Sequence, residues 1–460
     1  MVDKKTEKLE KYIFRRMGES GSVGLSIAII KEDKIRYSKG FGFRDFIQGI
    51  SASPETIYCV GSVTKSFTAL AVMQLCEEKL LNIEDPVDLY LPFNTKPMGE
   101  KILVKHLLSH TSGIPHLGYA EATLSATADT TENWLPICSP EDLLVFMDGA
   151  EEWPLAKPGQ RYGYLNEGFI LLGKIIEKVS GISYPEYVKE KILKPLSMNR
   201  STFYEDDVKN DKNVATPYIR SQSGSIVATR YPYGQMIADG GLMSNAIDLV
   251  KFLNMCLHEG TLDGVKVTSS ETIRNMMKPK IHTNEETVAG AGPRYYGYGF
   301  RIKSNFLGRT LIHHSGSVFG SSAYISMIPE EKTGVAIVAN GGYVVEDIGE
   351  YSTAWILGED PTLIPYFKRE QTLNELTGIY KTFRNLSNYK VVRSGGILQL
   401  QSSFGQRTFS TPLIPVNLDD EIKQFNVYGI DTTTTVYFIH RDEENYMMYE
   451  SNLAKKVGSL

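Results

Sequence analysis

A chain of 460 residues, 42% of them hydrophobic, has the length of two or three domains and the apolar content of an ordinary folded soluble protein. Its 49 Lys and Arg against 54 Asp and Glu give a net charge of −5, which excludes the basic footprint of a nucleic-acid binder. No apolar run of about 18 residues is present and no apolar stretch follows Met1, so neither a spanning helix nor a signal peptide is expected, and four scattered cysteines (Cys59, Cys76, Cys138, Cys256) without a C-x-x-C pair suit the reduced core of a cytoplasmic protein.

From the N-terminus, Lys4 to Arg16 mixes basic residues with Glu7 and Glu10 and reads as a solvated helix. Val23 to Ile30 is a β-rich apolar run, Lys31 to Lys34 a polar turn, and Ile35 to Phe41 a second strand, together a hairpin. The loop from Gly42 to Tyr58 leads to Gly61-Ser62-Val63-Thr64-Lys65 and an apolar helical run from Phe67 to Leu75. With the helix starting near Ser62, Ser62 and Lys65 lie one turn apart on one face. Ser62 then sits where free backbone N–H groups and the positive end of the helix dipole point. A hydroxyl beside an amine, among N–H donors, is the minimum set for covalent acyl transfer. A capping serine followed by a solvated lysine gives the same letters. A second S-x-x-K, Ser387-Asn388-Tyr389-Lys390, falls in a strand-like region, so the pair alone does not decide.

The run from Lys101 has helical periodicity until Ser112-Gly113-Ile114-Pro115 stops it. His106, His110 and His116 are neighbours, but no H-E-x-x-H arrangement and no acidic or cysteine partner accompanies them. They are expected to hydrogen-bond backbone near a helix end, with no metal. Thr123 to Ile137 reads as a surface excursion and Pro140 to Met147 as a helix. Pro158 to Gly168 is a turn-rich loop carrying Tyr164-Leu165-Asn166. It feeds an amphipathic helix, Phe169 to Ser180, with Gly181 as its C-cap. Tyr164 and Asn166 suit a cleft, a phenol to move protons and an amide to hold a carbonyl, and suit equally a buried tyrosine beside a capping asparagine. Tyr184 to Leu196 is a further helix. Asp239-Gly240-Gly241-Leu242 reads as a backbone crossing that excludes side chains, and Ser244 or Asn245 caps a helix to Leu257. Strands are expected over Tyr295–Ile302, Thr310–His314, Ala323–Met327 and Val335–Ala339. If these pair with the early hairpin, the fold is α+β: an antiparallel sheet flanked by helices, with a helical lobe over roughly 80–235.

Val345 to Leu357 closes this unit as a helix, so a first domain is expected over 1–358 and a linker over 359–375. From Leu376 short strands alternate to the end, with Gly395-Gly396 as a hairpin turn. Seven or eight up-and-down strands predict a small antiparallel β-barrel over 376–460, either filled or shaped for ligand, access or assembly.

Ser62-Val63-Thr64-Lys65, Leu107-Leu108-Ser109-His110-Thr111-Ser112-Gly113, Tyr164-Leu165-Asn166, Asp239-Gly240-Gly241-Leu242 and His314-Ser315-Gly316 follow one another in that order. Together they resemble the serine β-lactamase and penicillin-binding-protein superfamily, in its class C-like branch of peptidases and esterases, from about Val23 to Asn340. The resemblance implies Ser62 as nucleophile and Lys65 as general base or proton relay. It implies Tyr164 as a partner in proton transfer and in deacylation, and Asn166 as the group orienting the acyl side chain. His314 takes the basic position of the third motif, and Gly316 and Ser317 line the substrate, the N–H groups of Ser62 and Ser317 forming the oxyanion hole. His314 stands where β-lactamases usually carry Lys, which ranks β-lactam hydrolysis below peptidase and esterase activity. Leu165 replaces the usual small middle residue of the tyrosine motif. Lys332-Thr333-Gly334 spells the β-lactamase version but lies in a charged turn between strands and reads as a decoy. His313 and His314 must point to opposite faces of a strand. Leu376-Thr377-Gly378-Ile379-Tyr380 resembles the opening of lipocalin-like barrels appended to such hydrolases, archaeal serine peptidases and D-aminopeptidases included. The implied activity is serine-type hydrolysis of small peptides, those with D-residues included. Carboxylesterase or β-lactamase-like hydrolysis is the alternative within that class, and a non-catalytic penicillin-binding or scaffold protein the alternative outside it. No cofactor is implied. The implied partners are a small peptide or ester and further copies of the chain through the barrel, with no nucleic acid and no membrane.

Overall fold

The computed structural model describes residues 4–120, 122, 137, 139–221, 223–231, 237–285, 290–342, 345–404 and 407–460. The excursion expected over Thr123–Ile137 lies, but for Ile137, outside the described residues, as does Cys138. The chain divides into two compact units, Met1–Pro361 and Thr362–Leu460.

The early hairpin and the late strands share one sheet. Its strands are β1 (Gly24–Lys31), β2 (Lys34–Asp45), β3 (Ile50–Ser51), β4 (Ile281–His282), β5 (Arg294–Tyr296), β6 (Arg301–Phe306), β7 (Arg309–Val318), β8 (Ser321–Ile328) and β9 (Thr333–Asn340). Among the described residues the order across the sheet is β4-β5-β6-β7-β8-β9-β1-β2-β3. β1 pairs antiparallel with β9, Ile27 opposite Ile337 and Leu25 opposite Ala339, so everything between β2 and β8 hangs from one sheet. Both strands are buried on both faces, which is why Ile27-Ala28-Ile29-Ile30 and Val335-Ala336-Ile337-Val338 read as unbroken apolar runs.

One face of the sheet packs on helices α1 (Lys4–Ser20) and, later in the chain, Val345–Leu357; the other packs on α2 (Thr64–Glu77) and Ala246–Leu257. α1 is not a solvated helix. Leu9, Tyr12, Ile13 and Met17 form a buried stripe along it, and Tyr12 stacks on Tyr351 with ring centroids 3.9 Å apart. α2 is buried on every side from Thr64 to Leu75, with Phe67 stacked on Phe252 at 4.0 Å. Its helical neighbours include Val104–Leu108, shorter than expected, and Asn166–Ser180, which ends at Gly181 in the left-handed region (φ +75°). The helix expected over Tyr184–Leu196 is α-helical only over Tyr184–Val188 and continues as a wider π-type turn over Lys189–Leu193. The single strand expected over Tyr295–Ile302 is two strands, β5 and β6. Between them Gly297 N–H donates to Phe300 O at 2.8 Å, and Gly299 adopts φ +72° where a Cβ would lie 2.6 Å from Ala69 of α2. Lys332 sits at φ +44° at the end of the β8–β9 turn, and Thr333 and Gly334 open β9, so the Lys332-Thr333-Gly334 sequence spans a turn-to-strand junction.

The second unit begins with a helix, Pro365–Leu376, where a linker was expected; its Leu373 is buried in the core of the barrel that follows. Eight antiparallel strands, from Gly378–Thr382 to Asn452–Gly458, close into that barrel. Tyr380, Leu398, Leu400, Leu413, Phe425 and Phe438 are among the side chains that fill its interior. Among the described residues no helix is long and apolar enough to cross a membrane.

Candidate active site

A tight 3₁₀ turn, Gly61–Val63, runs directly into α2 and carries Ser62 at the entry, with Lys65 in the first α-helical turn. Lys65 is 0% exposed. Its Nζ donates to Ser62 Oγ at 2.9 Å, to Asn166 Oδ1 at 2.8 Å and to the Asp239 carbonyl at 2.7 Å. A lysine has three donors, and here each has an acceptor. The Tyr164 ring centroid lies 5.1 Å from the same nitrogen and that of Phe169 lies 5.6 Å away. Asn166 is the first residue of its helix, which aims its amide at the start of α2. Asp239 arrives on the glycine-rich crossing, which is stitched to α2: Leu242 N–H donates to Thr64 Oγ1 at 3.1 Å and Thr68 Oγ1 to the Ala238 carbonyl at 2.6 Å.

β7 lies against the entry turn. A Cβ at Gly316 would stand 2.7 Å from Ser62 N and closer still to the Val60 carbonyl, and a Cβ at Gly61 would stand 2.6 Å from Ser317 N. Two facing glycines therefore let the strand and the turn touch backbone to backbone, which brings the main chains of Ser62 and Ser317 together.

His314, on β7, faces this side of the sheet. Its Nδ1–H donates to the Ser315 carbonyl at 2.7 Å, and its Nε2 accepts from the Tyr296 hydroxyl at 3.0 Å. Burial holds its pKa well below the ordinary histidine value, and the Arg301 and Lys65 charges add to this. The ring in the third motif is thus neutral. His313 turns to the opposite face, its ring 5.7 Å from that of Tyr324 and near Lys303, which pairs with Glu346 at 3.0 Å and with Glu350.

The histidines near Leu107 each accept a backbone N–H. His106 Nδ1 accepts from Leu103 at 3.1 Å, His110 Nδ1 from Leu165 at 3.0 Å and His116 Nδ1 from Gly118 at 2.9 Å. Burial pushes the pKa of His106 down to about 4 and that of His110 well below its ordinary value. Three site residues carried no signal in the sequence. Tyr296 bonds His314, as above. Tyr162 has its ring 5.7 Å from that of Tyr296. Arg301 lies with its guanidinium carbon 5.6 Å from the Tyr164 ring centroid while donating to Glu285 Oε1 at 3.2 Å. Arg301 opens β6, directly after the Gly297–Phe300 turn, and no motif in the sequence points to it. The arrangement supplies a hydroxyl, an amine, a phenol, an amide and two adjacent backbone segments around one point, the groups that acyl transfer uses.

The Beta-lactamase family model matches residues 9–355 of this chain. The chain therefore belongs to the beta-lactamase family, a family of serine hydrolases that takes in penicillin-binding-protein-like members. A second model, the Pab87 octamerisation domain, matches residues 361–453. Among solved structures, the octameric penicillin-binding protein homologue from Pyrococcus abyssi is similar to this chain over 98% of its length and 100% of the homologue's, at 41% identity and a TM-score of 0.90. FmtA from Staphylococcus aureus is 25% identical, covering 77% of this chain and 87% of its own, with a TM-score of 0.60. Protein flp of Staphylococcus aureus (strain MW2) is 28% identical over 327 residues, 69% of this chain and 59% of that protein. The chain thus spans less than two thirds of the length of that curated relative.

Proposed function

We propose that this chain is a serine-type hydrolase that forms an acyl-enzyme on Ser62 and cleaves small peptides, those with D-residues included. The observation that carries the reading is Lys65, fully buried and bonded at once to Ser62 Oγ, Asn166 Oδ1 and the Asp239 carbonyl. In the proposed reaction Lys65 acts in its neutral form, donating to Asn166 and Asp239 and turning its lone pair to Ser62 Oγ, so that it takes the proton as the Ser62 hydroxyl attacks the substrate carbonyl carbon, with Tyr164 as the relay. The tetrahedral oxygen is met by the N–H groups of Ser62 and Ser317. The C–N bond then breaks, and the pair returns the proton to the leaving amine. Water attacks the ester in the same manner, with Tyr164 beside it, to release the acid and restore Ser62. Asn166 turns its carbonyl oxygen to Lys65, which leaves its NH₂ group to orient the acyl part of the substrate.

His314 stands where β-lactamases usually carry Lys, which supports a peptidase above a β-lactamase. Arg301, at the Tyr164 ring, is the cation proposed to meet a peptide's free carboxylate. Self-association through Thr362–Leu460 is proposed on the octamerisation-domain match and on the octameric Pyrococcus abyssi homologue. A cytoplasmic setting is proposed on Cys59, Cys76 and Cys256, which form no disulfide.

A fluorophosphonate probe followed by mass spectrometry of the labelled peptide tests the nucleophile, and D- and L-aminoacyl anilides, short-chain esters and a β-lactam test the substrate. The expected result is a single adduct on Ser62 and cleavage of the anilides. An adduct elsewhere, or none at any pH, points to a scaffold; ester turnover without amide cleavage points to an esterase.

A further inference from the structure

We infer that His110 is a positioning residue that sets the place of the Tyr164 phenol. The inference rests on the reading of Ser62 and Tyr164 given above. His110 brackets Tyr164 from three directions. Its carbonyl accepts the N–H of Gly163 at 2.8 Å, its Nδ1 accepts the N–H of Leu165 at 3.0 Å, and its ring lies against the Tyr164 ring with centroids 4.1 Å apart and planes 32° apart. The residue before Tyr164, the residue after it and its side chain are thus all held by one histidine. The next residue continues the clamp, the Thr111 carbonyl accepting from Gly159 N–H at 2.7 Å.

His110 is itself held where it can do this. It is 1% exposed, and its ring is packed against Phe169 at 5.0 Å and Tyr296 at 4.8 Å. Its backbone is left-handed, with φ +54°, a conformation that a non-glycine residue adopts only at a cost. Nδ1 accepts a backbone N–H, so in the neutral ring the hydrogen sits on Nε2, and Nε2 is buried with no hydrogen-bond partner among the described residues. A residue present only to fill space would be apolar and would avoid burying an unmatched donor. The structure instead combines a flat ring and an acceptor in one side chain, at a position that reaches both the Tyr164 ring and the Leu165 amide.

The test uses the full chain and five proteins: wild type, H110A, H110N, Y164F and the double variant H110A/Y164F. Asn suits a positive φ and places Oδ1 near the position of Nδ1, so H110N keeps the Leu165 bond and loses only the ring. A displaced phenol is expected to lower kcat of H110A about 10²-fold with KM little changed, and H110N is expected to recover most of that loss. Because His110 is taken to act through Tyr164, adding H110A to Y164F is expected to cost far less than it does in wild type. In parallel, 3-fluorotyrosine placed at position 164 is read by ¹⁹F NMR. One sharp line is expected in wild type, a shifted sharp line in H110N once the stacked ring is gone, and a broadened or split line in H110A. Should H110A not fold, H110N carries both readouts. Equal kcat in H110A and wild type, a fully multiplicative loss in the Y164F background, or an unmoved fluorine line would each overturn the inference. If wild type and S62A are equally inactive, the proposed function fails, and the fluorine spectra still decide the role of His110.

Discussion

Lys65 couples three parts of the chain through one nitrogen, so its loss and that of Ser62 should differ in kind. Ser62→Ala removes the attacking oxygen and leaves Asn166 and Asp239 bonded to Lys65; turnover should vanish with the thermal unfolding midpoint unchanged. Lys65→Ala should lower kcat by about 10²–10⁴ and also lower stability, because buried acceptors at Asn166 and Asp239 lose their donor. Measuring kcat and unfolding on the same preparations separates the two effects. Arg301→Gln should raise KM about tenfold for a peptide with a free carboxylate and leave an amide-capped one unaffected, since only the former has a charge to lose. Buried histidines predict the response to acid. His106, His110, His313 and His314 are all held below the ordinary value of 6.5 by burial. Below 6.5 the unfolded chain binds these protons and the folded chain does not. Their stability contribution is therefore complete above that pH and falls as pH drops, by about 1.4 kcal/mol per pH unit for each histidine. Burial raises Glu167 and Glu350 above their ordinary 4.5, which works in the opposite direction, stability being lost as pH rises from 4.5. Four groups outweigh two, so the unfolding midpoint should fall between about pH 7.5 and 5.5; a flat profile would show that these rings take up protons while folded.

At the scale of elements, the site depends on β7 lying directly on the entry turn of α2. A methyl group at Gly316 would stand 2.7 Å from Ser62 N, and the atoms it meets are backbone, which cannot swing aside. Gly316→Ala should therefore cut the rate of fluorophosphonate labelling at Ser62 about 10²-fold or more. Far-UV circular dichroism should stay at the wild-type level. Such element-scale contacts also explain what could be read from the sequence. β1, α2, β8, β9 and the barrel strands bury continuous or alternating apolar faces, and burial of that kind is written as local pattern. Ser62, Lys65, Tyr164 and Asn166 were legible because each sits at a turn-to-helix junction with its neighbours in sequence. Arg301 and Tyr296 were not, because strand pairing across a chain reversal brings them in. The reversal itself was hidden: Tyr295-Tyr296-Gly297-Tyr298-Gly299-Phe300 is aromatic enough to read as strand, and only the packing of Gly299 on α2 shows that it turns. The neutral state of His314 was equally out of reach, since it follows from burial and from the Tyr296 hydroxyl.

Over the whole molecule, the residues of the proposed site all belong to the first unit, Met1–Pro361, so the second unit needs another role. Its barrel is filled by its own side chains, which favours a structural part over a ligand carrier. Its surface is less ordinary. Tyr428 and Ile430, at the turn between two barrel strands, are 65% and 100% exposed, and Phe383 and Leu386, in another connection, are 79% and 84% exposed. Large apolar side chains at this exposure are costly in a lone chain and are expected where copies meet. If these two connections carry the association, Tyr428→Ser with Ile430→Asp, and separately Phe383→Asp with Leu386→Asp, should lower the mass found by size exclusion with light scattering. Combining the four should lower it at least as far. Labelling at Ser62 per chain should stay at the wild-type level in all three variants, because none of the substituted residues contributes to the site. An unchanged mass in the fourfold variant would place the association on other surfaces, and a loss of labelling would show that assembly and site are coupled.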